Sequence, residues 1–171
     1  MPCASLAIER VLTLLAETPK RLAALTADLS PEEVQMRPTI DEWSANEVLA
    51  HLRACADVWG NYIRTIIAQD RPQFRAVSPR TWIKQTDYPD LAFRPSLGAF
   101  TAQRADLLAV LSPLPIDAWE RSARVSTVGR VLEPTVLSYA ERLLVHERSH
   151  LKQIAGIAGT MHARKGSADG S

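Results

Sequence analysis

The chain has 171 residues, 46% of them apolar and only 7 glycines, which is enough to bury one sizeable core and too little for two comfortable domains. Twenty basic residues stand against 19 acidic ones, a formal charge of +1 with no block of like charge, so no electrostatic footprint for nucleic acid or an anionic membrane is present. No run of 18 apolar residues occurs and the N-terminal segment mixes acids into its apolar periodicity, so the expectation is a cytoplasmic protein without membrane span or export signal, its two cysteines, Cys3 and Cys55, reduced.

From Ala4 to Leu29 apolar residues recur at helical spacing, interrupted by Thr18-Pro19, which predicts one helix kinked near Pro19 or two abutting ones. Ser30-Pro31-Glu32-Glu33 combines an N-cap, a proline at the first helical position and a carboxylate at the third, and predicts a short helix before Arg37-Pro38. A second long helix opens at Ser44, where Glu47 completes a capping box and Trp43 can staple onto Val48; its apolar face runs through Leu52, Cys55, Trp59, Tyr62 and Ile66 to about Gln69. His51 sits on the edge of that seam.

Residues 70–95 hold four prolines and predict a long loop with at most a short helix around Arg80 to Lys84, a candidate lid or binding loop. Ser96 to Leu111 reads as a third long helix. After a proline-marked turn and a polar connection, Thr135 caps a last helix whose seam is Tyr139, Leu143, His146, His150, Ile154 and Ile157. Gly159 is expected to end it near residue 160, with 161–171 a flexible tail. No internal repeat and no alternating strand pattern of useful length is found, so the expected fold is all-α: a single four-helix bundle over residues 1–160 with a long loop between its second and third helices.

The last helix contains His146-Glu147-Arg148-Ser149-His150, an HExxH. Its two histidines lie four apart on one face, about 5–6 Å between Cβ atoms, and both can reach one ion. A hydrogen-bonded pair of core histidines is the plainer alternative. Two unpaired imidazoles on a core seam would each carry a desolvation cost of roughly 1–3 kcal/mol, so something inside should satisfy them. A peptidase of the extended HExxHxxGxxH type needs a downstream ligand, but the chain has Gln153 and Gly156 there and no glutamate after His150. His51, on the second long helix, can be brought to the pair by a neighbouring helix, and three nitrogens with open positions suit a catalytic ion.

Cys55, one turn after His51, is either ordinary core material or a fourth ligand that would close the site. Glu147 has the position of the zincin glutamate that polarises metal-bound water and is the first general-base candidate; the alternative is a solvated glutamate paired one turn away. Arg104 either reaches a cavity to bind an anionic substrate or cofactor, or snorkels to solvent. The four tryptophans, Trp43, Trp59, Trp82 and Trp119, read as staple, core and loop anchors rather than a ligand platform.

The segments Thr18-Pro19-Lys20-Arg21-Leu22, Leu29-Ser30-Pro31-Glu32-Glu33, Asp41 to Leu52 with its W-S-x-x-E-V-x-x-H-L run, and His146 to Ile154 with H-x-x-x-H-x-x-Q-I, together make residues 5 to 158 resemble the DinB-like (DinB/YfiT) metal-binding four-helix bundles. The resemblance implies a divalent ion, zinc or nickel by ligand type, held by His51, His146 and His150. The family pattern often carries aspartate at 147 and histidine at 149, where this chain has Glu147 and Ser149. Characterised relatives include transferases using low-molecular-weight thiols, mycothiol-dependent isomerases and some hydrolases. The expectation is therefore a metal-dependent enzyme acting on a small molecule, first a thiol-dependent S-transferase, next a metal-dependent hydrolase, with a non-catalytic metal-binding, stress-associated protein as the alternative and a homodimer as the assembly.

Overall fold

The computed structural model describes residues 2–168; the expectations for the Cys3 side chain and for the tail at 169–171 lie outside the described residues. Among the described residues six α-helices follow in chain order: α1 Pro2–Leu25, α2 Pro31–Gln35, α3 Ala45–Ala68, α4 Pro79–Trp82, α5 Phe93–Leu111 and α6 Val136–Ala168. The long ones, α1, α3, α5 and α6, form a four-helix bundle in which α1 and α3 each pack against both α5 and α6, so that α1 faces α3, and α5 faces α6, across the bundle axis. No helix among the described residues is long and apolar enough to cross a membrane.

The expected caps are present. Ser44 Oγ accepts from the Glu47 amide while a Glu47 carboxylate oxygen accepts from the Ser44 amide, and Ser30 and Glu33 repeat the arrangement at α2. Helix α1 runs through Pro19 as one helix, which resolves the alternative of two. Helix α5 starts at Phe93, earlier than Ser96, with Pro95 in its first turn, where a missing N–H leaves no hydrogen bond unmade.

One expectation is corrected, and one small feature is added to the expected all-α bundle. Helix α6 does not end at Gly159 but continues to Ala168. Its last turns have partners: Met161 is buried, Arg164 donates to the Pro38 carbonyl and Lys165 pairs with Glu33 at 2.8 Å, so the short α2 and the loop after it hold the helix where the sequence alone shows a mostly polar stretch. The fold also contains a three-stranded sheet, β1 Gln73–Arg75 parallel to β2 Arg124–Thr127, which pairs antiparallel with β3 Arg130–Leu132 across a turn where Gly129 takes φ 82°. Strands of three and four residues are too short to display alternation, and only Val125 among them is fully buried. β1 also breaks up the expected long loop, together with α4 and two 3-10 turns at Ile83–Gln85 and Tyr88–Asp90.

The apolar core comes in two clusters. One is built on Leu15, Ile63, Leu111, Trp119 and Leu143, the other on Leu22, Leu49, Phe100, Ile154 and Met161. Between them lies a polar layer to which every long helix contributes: Thr18 from α1, His51 from α3, Arg104 from α5, and His146 and Glu147 from α6. A layer of this kind inside a bundle is tolerated only when its members satisfy one another or a bound group. It divides into two parts, and they have different chemistry.

Candidate metal centre

On the α3–α6 side of the layer, side chains from both helices converge. His51 Nε2 lies 3.0 Å from His146 Nε2, and His146 Nε2 lies 3.2 Å from His150 Nε2. Cys55 Sγ approaches His51 Nε2 at 3.5 Å and His146 Nε2 at 3.4 Å. His51 and Cys55 are one turn apart on α3, as His146 and His150 are on α6, so the 3.6-residue period of both helices aims each pair at the same point. The three histidines singled out in the sequence are thus brought together, and Cys55 stands with them.

Burial pushes the His51 and His146 imidazoles down to about 4, helped by the neighbouring histidines, and lowers His150 against the opposing effect of Gln153. All three are neutral at neutral pH, the form that binds metal. Burial pushes the Cys55 thiol up to about 12. His150 Nδ1 is 2.8 Å from Gln153 Oε1, an acceptor, so Nδ1 carries the proton and Nε2 turns its lone pair to the cluster. Gln153 is therefore an orienting residue; its signal in the sequence is its place three residues after His150 on the same helix.

The donors fit a divalent ion. A neutral imidazole offers at Nε2 either one proton or one lone pair, whereas His146 Nε2 has contacts at 3.0, 3.2 and 3.4 Å at once, which a single central cation would satisfy together. Bonds of about 2.0–2.1 Å to nitrogen and about 2.3 Å to sulfur in a tetrahedron imply donor separations of about 3.3 Å between nitrogens and about 3.5 Å from nitrogen to sulfur, close to those found. His51, Cys55 and His146 all lie within 4.8 Å of one another, and His150 joins that group through His146.

The cluster forms the floor of a cavity of about 480 Å³ that also takes in Trp43, Trp59, Arg80 and Gln153, with exposed Asp41 and Glu42 on its border. Trp43 stacks on the His150 ring at 6.3 Å and meets His51 edge-on at 5.3 Å; Trp59 meets His146 edge-on at 5.1 Å. Trp43 and Trp59, expected as staple and core, are also the apolar walls of the site, whereas Trp119, expected as a loop anchor, is buried in the core. Sequence reasoning misses Arg80, because a loop arginine carries no periodic signal.

Arg80 reaches the cavity on a segment clasped by Asp57 of α3, whose carboxylate accepts from Trp82 Nε1 at 3.0 Å, Tyr88 Oη at 2.8 Å and Gln103 Nε2 at 2.5 Å. Burial, with Asp57 next, pushes the Tyr88 phenol up to about 12. Asp57→Ala leaves those donors without their acceptor. Amides of residues 80–90 are expected to exchange hydrogen about tenfold faster or more, the equivalent of losing roughly 1.4 kcal/mol of local stability, with little change in α1. Equal protection in the variant would contradict the clasp.

Glu147 and Arg104 occupy the other part of the layer, and both expectations for each are corrected. Glu147 does not line the histidine cavity and is not solvated; it is 1% exposed and its Oε1 accepts from Arg104 Nη2 across the bundle axis. Arg104, 2% exposed, neither snorkels nor lines that cavity. The physical reason is the helix period: Glu147 is turned by about 100° from His146 on α6, which swings it from the α3 interface to the axis. Burial raises its carboxyl pKa while Arg104 opposes the rise.

The lowered histidine pKa values have a stability consequence. A histidine whose folded value lies below its unfolded one favours folding where both states are neutral, and that stability is lost as the unfolded chain takes up protons that the folded one refuses. With His51 and His146 moved from 6.5 to about 4, the chelated protein is expected to lose stability as pH falls from about 6.5 towards 4. Urea midpoints at several pH values should show this slope, and a His51→Gln/His146→Gln variant should show less of it; equal slopes would contradict the assignment.

A family model of the DinB superfamily matches residues 14–154. None of the curated proteins matches the chain. Among solved structures, the chain is similar to YfiT from Bacillus subtilis, described as a probable metal-dependent hydrolase with an unusual four-helix bundle topology, with TM-score 0.77 and 15% identity over 91% of this chain and 87% of that one. At that identity the likeness speaks for the fold, and the family match over most of the chain, in a bundle that brings the motif histidines together, means that the chain belongs to the DinB superfamily.

Proposed function

We propose that the protein is a metal-dependent enzyme in which His51, His146 and His150 hold a divalent ion, zinc or nickel, and that it transfers a low-molecular-weight thiol to a small electrophilic substrate. The observation that carries this reading is the convergence of neutral nitrogen donors at the floor of an open cavity. Such an ion supplies Lewis acidity that lowers the pKa of a bound thiol or water. Trp43 and Trp59 hold back water and give a small substrate apolar walls, and Arg80 offers a guanidinium to a carboxylate of the kind that glutathione-type thiols carry. Thiol transfer is preferred to hydrolysis because Glu147, the expected base for activating water, is turned away into its pair with Arg104.

A hydrolase is the second reading, favoured by the description of the similar YfiT structure. The test is a comparison on protein loaded with zinc or nickel. Consumption of glutathione-type and mycothiol-type thiols with an electrophile should be abolished by chelation and restored by reloading. Ester hydrolysis without thiol consumption would replace the first reading with the second, and a loaded protein that turns over neither class would leave a metal-binding protein.

A further inference from the structure

We propose that Cys55 is itself a ligand of the ion, so that His51, Cys55 and His146, whose donor atoms all lie within 4.8 Å of one another, form the core of a donor set that His150, 3.2 Å from His146, completes. This rests on the reading that the histidines hold an ion, but not on the reaction assigned to it.

Cys55 is 1% exposed and sits one turn below His51 on α3, with its sulfur turned to the same point as the histidine nitrogens. Its separations from His51 Nε2 and His146 Nε2, 3.5 and 3.4 Å, are those of donors sharing one tetrahedral ion, slightly longer than the nitrogen separations of 3.0 and 3.2 Å as a longer metal–sulfur bond requires. A cysteine that served only as packing would meet carbon on all sides. Here its sulfur meets two imidazole nitrogens, one of them on His51, which is itself 7% exposed and aimed into the same space.

On binding, the Cys55 sulfur forms its bond to the ion and releases its proton to solvent; nothing is oxidised or reduced. A thiolate in the set favours zinc over harder ions. Four protein donors also leave a substrate group only a fifth position or the place of a displaced donor.

The experiment is cobalt substitution of the full chain in a Cys3→Ser background, which leaves Cys55 as its sole cysteine. Titration with Co²⁺ should produce a near-ultraviolet thiolate-to-cobalt charge-transfer band alongside intense visible bands of tetrahedral cobalt. Cys55→Ala, checked for folding by circular dichroism, should lose the charge-transfer band and bind zinc at least about 100-fold more weakly in chelator competition. Cobalt bound with visible bands and no charge-transfer band overturns the inference and leaves the histidine site standing. No cobalt bound at all overturns both. A charge-transfer band in a protein that turns over neither thiol nor ester supports the inference and counts against the enzyme.

Discussion

Arg104→Met is expected to destabilise the fold by about 3–5 kcal/mol, which for a domain of this size lowers the melting temperature by roughly 6–20 °C. The variant leaves Glu147, 1% exposed and between two apolar clusters, without the guanidinium that answers its charge. Its Oε2 already lacks a protein partner among the described residues. Removing both members removes the problem: Arg104→Met/Glu147→Leu is expected to recover most of the lost stability, since well-packed apolar side chains often replace a buried ion pair without loss. Urea or thermal denaturation of both variants checks this. A single variant within about 1 kcal/mol of wild type would mean that the pair is not the closed, buried unit that its geometry implies.

His146→Ala is the second large effect, and it falls on the metal instead of the fold. His146 is the hub of the cluster, with His51, His150 and Cys55 all within 3.4 Å of its Nε2. Its loss is expected to weaken zinc binding at least about 100-fold. An ion present at a hundred times its Kd stabilises the wild type by about 2.7 kcal/mol, and that increment should vanish in the variant. The chelated proteins should melt close together, because the imidazole removed is half-buried and makes no hydrogen bond outside the cluster. A variant that binds zinc as tightly as wild type would remove His146 from the site.

What the sequence made legible follows from what is local. Capping boxes at Ser30 and Ser44, the seams of α3 and α6 and the i,i+4 histidine pair are all set by helix period and by contacts within four residues, so they were readable without the fold. The family motif extended this to His51, far away in sequence. What depended on long-range contact was not readable. Glu147 is open to reading as a base or as a solvated charge until Arg104, 43 residues away, is known to lie across the axis. The end of α6 is set by α2 and the loop after it, through Arg164 and Lys165. The strands are too short for alternation and pair through a connection of some fifty residues between β1 and β2. Trp43 shows the limit in one residue: its position before the N-cap announces a staple, but nothing in its neighbours announces that His150, on another helix, stacks against it.

On the reading proposed above, the polar layer on the α3–α6 side holds an ion. Metal analysis of the purified wild-type chain, after reloading with zinc at neutral pH and removal of excess, tests it most directly. One divalent ion per chain is expected, released by a chelator and lost in His146→Ala. A wild-type protein that retains no stoichiometric ion under those conditions would contradict it.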